Sequence, residues 1–176
     1  MAGLKMMQSI MLKNLPRLLL RPAPALLYRP VLNRIVKRII RLHPGIFERL
    51  GDNCRKTILI NPTNLPVVFL IKPDPERPLV RAYKNTNHLH FDASITGSLL
   101  TLLRMVDGRL DGDAVFFTRD LMIDGDTEAV VSLRNALDDV DGSIADDIAA
   151  SFGFAGQAAL NLMRRIDLKQ RERTAG

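Results

Sequence analysis

Two clusters and one lone thiol in this 176-residue chain have residue types that could do chemistry. His88, His90 and Asp92 take alternate positions in a β-rich run. Alternation places them on one strand face, where two imidazoles and a carboxylate could share a transition metal. A full shell needs another donor. The chain holds three histidines and one cysteine, and no second cluster supplies the missing ligand. The plainer reading is a solvated strand face. Asp107, Asp111 and Asp113 have the outline of a calcium loop, but Arg109 stands where a ligand should and no Glu follows at the twelfth position. Cys54 lies among Arg49, Arg55 and Lys56, cations that favour a thiolate. No organised histidine accompanies it, so it reads as a structural thiol. His43, before Pro44, reads as a helix-end residue. There is no Gly-rich phosphate loop and no nucleophile elbow, and nothing selects a catalytic pair among the many aspartates. These residues describe a protein that holds a ligand rather than one that transforms it.

The elements that would position such a ligand follow from composition and periodicity. Hydrophobic residues make up 47% of the chain and charged residues 25%, an ordinary globular balance. A chain of this length buries ~70% of the surface its unfolded form exposes, so one core forms without metal or disulfide. The single cysteine excludes an intrachain disulfide. Charge is uneven. Residues 1–56 carry twelve Lys/Arg against two acids, Glu48 and Asp52; the rest carries thirteen against seventeen. Such a basic arm suits an anionic partner, either membrane headgroups or nucleic acid. No window reaches the ~18 apolar residues of a spanning helix. Lys5, Lys13, Arg17 and Arg21 interrupt any signal-peptide core, and one serine with several prolines weakens a transit-peptide reading. The expected location is cytoplasmic with peripheral membrane association.

Residues 1–20 read as loosely helical, broken at Arg21–Pro24. Tyr28–Leu42 is the clearest helix of the arm. Val31, Leu32, Ile35, Val36, Ile39 and Ile40 recur at helical spacing, with Arg34, Lys37, Arg38 and Arg41 on the other side. That face has two readings, contact with an anionic membrane or a solvated back to a helix packed on the domain. A nucleic-acid reading lacks an aromatic platform and a recognition motif. From Lys56 the period changes to two. Lys56–Pro62, Val67–Lys72, Leu79–Lys84 and His88–Ala93 read as a four-stranded antiparallel meander. Ser94 is expected to cap a helix carrying Ile95, Leu99, Leu102, Leu103 and Val106, and Asp113–Phe117 to make one further turn. Leu121–Ile123 is a fifth strand. After Asp124-Gly125-Asp126 a helix is capped by Asp126 or Thr127, and one last helix carries Ile144, Ile148, Phe152, Ala155, Ala159, Met163 and Ile166. Strands grouped before helices predict an α+β fold. The expected divisions are a basic helical arm over 1–50, a ligand-binding body over 51–168 and a frayed polar tail over 169–176. The helices carry more apolar stripe than one small sheet needs. That surplus could fill a solid core or line a tunnel for a lipid tail, and composition does not choose.

The block Asp113-Ala114-Val115-Phe116-Phe117-Thr118-Arg119-Asp120-Leu121-Met122-Ile123-Asp124-Gly125-Asp126-Thr127-Glu128 is more specific. It resembles the sterol carrier protein type-two domain, in which a late strand runs into a Gly-Asp turn and a helix. Within that superfamily it looks most like the UbiT-like accessory factors of oxygen-independent ubiquinone biosynthesis; Asn135 and Leu137 continue the match. Asp120 departs from the broader pattern, where many members have Gly. The resemblance implies a sterol-carrier-like α+β fold and a non-enzymatic lipid carrier without cofactor or metal. It implies a cavity for an isoprenoid quinone precursor or a phospholipid, an anionic membrane surface, and UbiU and UbiV as protein partners, with no nucleic acid. The expected wall comprises Phe91, Leu99, Leu102, Leu103, Phe116, Phe117, Leu121, Ile123, Leu133, Leu137, Phe152 and Phe154, with Arg34, Lys37, Arg38 and Arg41 docking on lipid. A scaffold that recruits enzymes without carrying lipid is the alternative; its basis is the twelve acids against three basic residues in 105–147.

Overall fold

In the computed structural model, residues 25–107, 121–140 and 142–174 are described. The expected helical segment over 1–20, the Arg21–Pro24 breaker and the turn over Asp113–Phe117 lie outside them. The element order is α1 (Ala25–Leu42), α2 (Gly45–Leu50), a 3-10 turn (Gly51–Arg55), β1 (Ile58–Pro62), β2 (Val68–Lys72), β3 (Leu79–Tyr83), β4 (Ala93–Gly97), α3 (Leu99–Val106), β5 (Leu121–Gly125), α4 (Thr127–Asp138), α5 (Ile144–Ala150) and α6 (Gly153–Thr174). This is the expected α+β architecture of five strands packed against helices.

The sheet is mixed, in the order β3-β2-β1-β4-β5. β1, β2 and β3 are antiparallel neighbours, as expected of a meander. β4 departs from it: it lies parallel to β1, and β5 returns antiparallel beside β4. The run His88–Asp92 is loop, not strand. His88 takes the left-handed conformation with φ 62°, and the Leu89 N–H bonds the Thr86 carbonyl. The whole stretch 84–92 therefore carries the chain back across the sheet, and Leu89 packs there on Leu59, Val68 and Leu70. The strand starts at Ala93, with Ala93, Ile95 and Gly97 buried at period two. The cap moves accordingly: Ser98, not Ser94, accepts the Thr101 N–H at 3.1 Å, and Ile95 is a strand residue.

Register makes the core. Ile60 stands beside Phe69 and Ile95, Ile95 beside Ile123, and Ile58 beside Ile71, so one sheet face presents aligned aliphatic rows. α2, α3, α4 and α5 cover this face through Ile46, Leu50, Leu102, Met105, Val130, Leu133, Ala136 and Ile144. The arm helix lies against β3 and α5. Ile35 is buried, Ile39 packs on the core, and Arg34, Lys37, Arg38 and Arg41 face solvent. The aliphatic stripe thus packs on the domain and leaves the cations outward. The single last helix expected from residue 144 onward is two. α5 stops at Ala150, and Gly153 at φ 64° turns the chain into α6. α6 continues to Thr174, through residues expected to form a polar tail.

Candidate functional site

An apolar layer lies between the β5 edge of the sheet and the helices. Leu121 and Ile123 point into it from β5, while Met122 between them faces away and is 68% exposed. Leu102 of α3 and Leu133 of α4 are buried in the core, and Val106 and Leu137 are partly buried against it. Leu99 is half-buried at the start of α3. Leu103 faces a separate small cluster with Ala145, Ala149 and Leu160. Of the expected wall, Leu102, Leu121, Ile123, Leu133 and Leu137 thus converge. Phe91, Phe152 and Phe154 do not: they are 38%, 51% and 89% exposed. Phe91 belongs to the loop before β4. Phe152 leaves the expected stripe because the break at Gly153 changes the helical phase, and Phe154 lies just past that break. Phe116 and Phe117 lie outside the described residues.

The Gly-Asp turn of the resemblance block has a geometric cause. Gly125 has φ 82°, and a Cβ there would stand 2.4 Å from the Asp92 carbonyl oxygen. That carbonyl accepts the Asp126 N–H at 2.9 Å. Asp126 caps α4 by accepting the Ala129 N–H at 3.0 Å, and Lys56 pairs with it at 3.1 Å. The Ala129 bond first, and Lys56 next, hold the Asp126 carboxyl below its ordinary range. Asp126 and its neighbours therefore organise a helix start. Gly125→Ala combines an unfavourable φ with a backbone clash, so it should lower unfolding stability by about 3 kcal/mol, measured by urea titration. An unchanged midpoint would show that the turn relaxes freely.

A polar cluster under the helices escaped the sequence reading. Asp107, 1% exposed, accepts two bonds from Arg164, at 2.7 and 2.9 Å, and one from Ser143 at 2.9 Å. Arg164 also donates to Asp146 at 2.8 Å. Asp107 above all, then Asp146, drives the guanidinium pKa upward. Arg104 pairs with the fully buried Asp167. The signal available was charge on apolar helical stripes: Arg164 and Asp167 flank Ile166. These groups pair with one another and staple α3, α5 and α6.

The same geometry pairs six of the twelve acids of 105–147 within the protein. Asp107 and Asp146 meet Arg164, Asp126 meets Lys56, Asp138 meets Arg134, Asp139 meets Arg49, and Asp147 meets His43 at 2.6 Å and Arg38 at 3.5 Å. His88, His90 and Asp92 do not share a strand face. The Asp92 carboxylate instead accepts the Thr57 N–H at 2.7 Å. Among the described residues no group of three His, Cys, Asp or Glu is placed to hold a metal. Cys54 packs against the core.

Arg34, Lys37, Arg38 and Arg41 come together along one groove of about 510 Å³ between α1 and the end of α5, where Ala150 and Ser151 form the opposite wall. Among the described residues, Arg38 alone of these four meets a carboxylate.

A model of the SCP-2 sterol transfer family matches residues 33–138. Among solved structures the chain is similar to the UbiJ-SCP2 ubiquinone synthesis protein, at 15% identity over 65% of this chain and 88% of that one, with a TM-score of 0.45. Sterol carrier protein 2 from Yarrowia lipolytica, in its apo form, is similar at 14% identity over 61% and 84%, with a TM-score of 0.45. The sterol carrier protein domain 2 of Helicoverpa armigera is similar at 15% identity over 60% and 92%, with a TM-score of 0.39. No curated protein sequence matches.

Proposed function

This chain belongs to the SCP-2 sterol transfer family, a family of lipid-binding domains, and from that premise we propose that it is a non-enzymatic lipid-binding accessory factor of oxygen-independent ubiquinone biosynthesis. The cargo is an isoprenoid quinone intermediate or a phospholipid, and the factor presents the head group to ring-modifying partners such as UbiU and UbiV. The pathway assignment is supported by the resemblance of residues 113–128 to UbiT-like factors. The observation that carries the lipid site is the apolar layer at the β5 edge. There Leu121, Ile123 and Leu137 pack on the core yet stay partly accessible, so an acyl or isoprenoid chain laid along them would complete their burial. Each methylene so buried contributes ~0.8 kcal/mol, which gives useful affinity without a catalytic group. Leu102 and Leu133 form the floor of this site, and Leu99 its α3 side.

No helix among the described residues is long and apolar enough to cross a membrane. The proposed association is peripheral, through the cationic face of α1. Ile46 and Leu50 belong to the main core, so the C-terminal part of the arm is tied into the body that would hold the lipid. Mass spectrometry of the purified protein, native and then after solvent extraction, should reveal a stoichiometric prenylated phenol or quinone, or a phospholipid. A protein that is empty and takes up no added lipid would sink the carrier role and favour the scaffold.

A further inference from the structure

We propose that α1 and the α5–α6 turn form one membrane-docking face, in which Phe152 and Phe154 enter the acyl boundary of an anionic bilayer while the cations of α1 hold its phosphates. Its premise is the membrane-surface role proposed above; what it adds is the apolar anchor. Phe152 and Phe154 are 51% and 89% exposed. They directly follow Ala150 and Ser151, which wall the basic groove, so exposed aromatics border concentrated positive charge. Interfacial docking needs that pairing, because a single weak signal gives only marginal, reversible binding.

The turn is built to present these rings. Its backbone is closed by the Phe152 N–H on the Ala149 carbonyl at 3.0 Å and by the Ser151 hydroxyl on the Asp147 carbonyl at 3.0 Å. Gly156 lets α6 start directly against α5; a Cβ there would stand 2.2 Å from the Ala149 oxygen and 2.7 Å from the Phe152 Cβ. Asp147 fixes the turn to the arm by meeting both His43 and Arg38. Asp146 is taken up by Arg164. The acids of α5 are therefore engaged within the protein, and the anchor is held in register with the cations before any lipid arrives. An anionic bilayer suits this face better than a second copy of the chain. A two-fold contact would press the same cationic groove against itself.

The chain has no tryptophan, so Phe154→Trp gives a unique reporter. With vesicles of phosphatidylcholine and phosphatidylglycerol its emission should shift to the blue and be quenched by brominated acyl chains. Phe152→Ser/Phe154→Ser keeps the Cβ that packs on Gly156. It should retain the wild-type melting temperature and bind these vesicles about 30-fold more weakly, with its salt dependence intact. Emission that stays water-like while the protein sediments with vesicles, or a double variant that binds as wild type, overturns the anchor and leaves membrane association standing. Wild-type protein that ignores anionic vesicles removes the membrane-surface role itself. Self-association in sedimentation velocity that the double variant abolishes would make the face an interface between copies and overturn the proposal.

Discussion

Asp107→Ala should lower the unfolding free energy by about 4 kcal/mol, among the largest effects of any single substitution in this chain. Asp107 is 1% exposed and accepts both a guanidinium fork and a hydroxyl. Removing it strands Arg164 at the junction of α3, α5 and α6 with Asp146 as its remaining carboxylate. The cost is chiefly the desolvation of a charge that has lost its main partner, because a guanidinium cannot shed its proton to escape. The raised pKa of Arg164 agrees: the guanidinium's own contribution is fully present below its ordinary pKa and is lost only as pH rises through the folded-state value. A double variant, Asp107→Leu with Arg164→Met, removes both charges and should recover much of the loss. Urea denaturation of the three proteins is the measurement. A single variant within about 1 kcal/mol of wild type would mean that water enters the cluster and replaces the carboxylate.

The second large effect concerns binding. Replacing Arg34, Lys37, Arg38 and Arg41 with Gln should weaken association with phosphatidylglycerol-containing vesicles by between about a hundredfold and a thousandfold at low salt. Each basic residue near an anionic leaflet contributes ~1 kcal/mol, and Arg38 already shares its charge with Asp147. All four side chains face solvent, so the melting temperature should hold and the salt dependence of binding should largely vanish. Co-sedimentation with vesicles over a salt series measures both. A quadruple variant that sediments like wild type would exclude α1 as the electrostatic element. Retention of the wild type on duplex DNA but not on vesicles would return the arm to nucleic acid.

Much of this protein is legible without coordinates because the relevant signals are local. Alternation over Lys56–Pro62, Val67–Lys72 and Leu79–Lys84 located three strands to within two residues. Asp126 and its glycine located the start of α4, since capping and left-handed turns are written in adjacent residues. The two faces of α1 were legible for the same reason. Whether the aliphatic face meets lipid or protein was not, because that depends on a partner surface, here β3 and α5, assembled from residues far along the chain.

The misread elements share that cause. His88–Asp92 alternates like a strand, yet β1 already pairs with β2, and the ladder position left beside β1 is filled by Ala93–Gly97 in parallel. Periodicity records which residues share a face, not which neighbour the strand will find. Ile144, Ile148 and Phe152 read as one stripe until Gly153 turns the chain, and two expected wall residues become an exposed pair beside a cationic groove. Asp107, Arg164 and Asp146 came together only through the packing of three helices. The family, the α+β composition, the cationic arm and the Gly-Asp turn are all readable from residues alone, because they rest on short-range stereochemistry and contiguous motifs. Tertiary structure alone decided the parallel β1–β4 pairing, the buried charge cluster and which apolar residues converge at the β5 edge. These depend on contacts between residues distant in sequence, and burial is a property of the assembled layers rather than of any one segment.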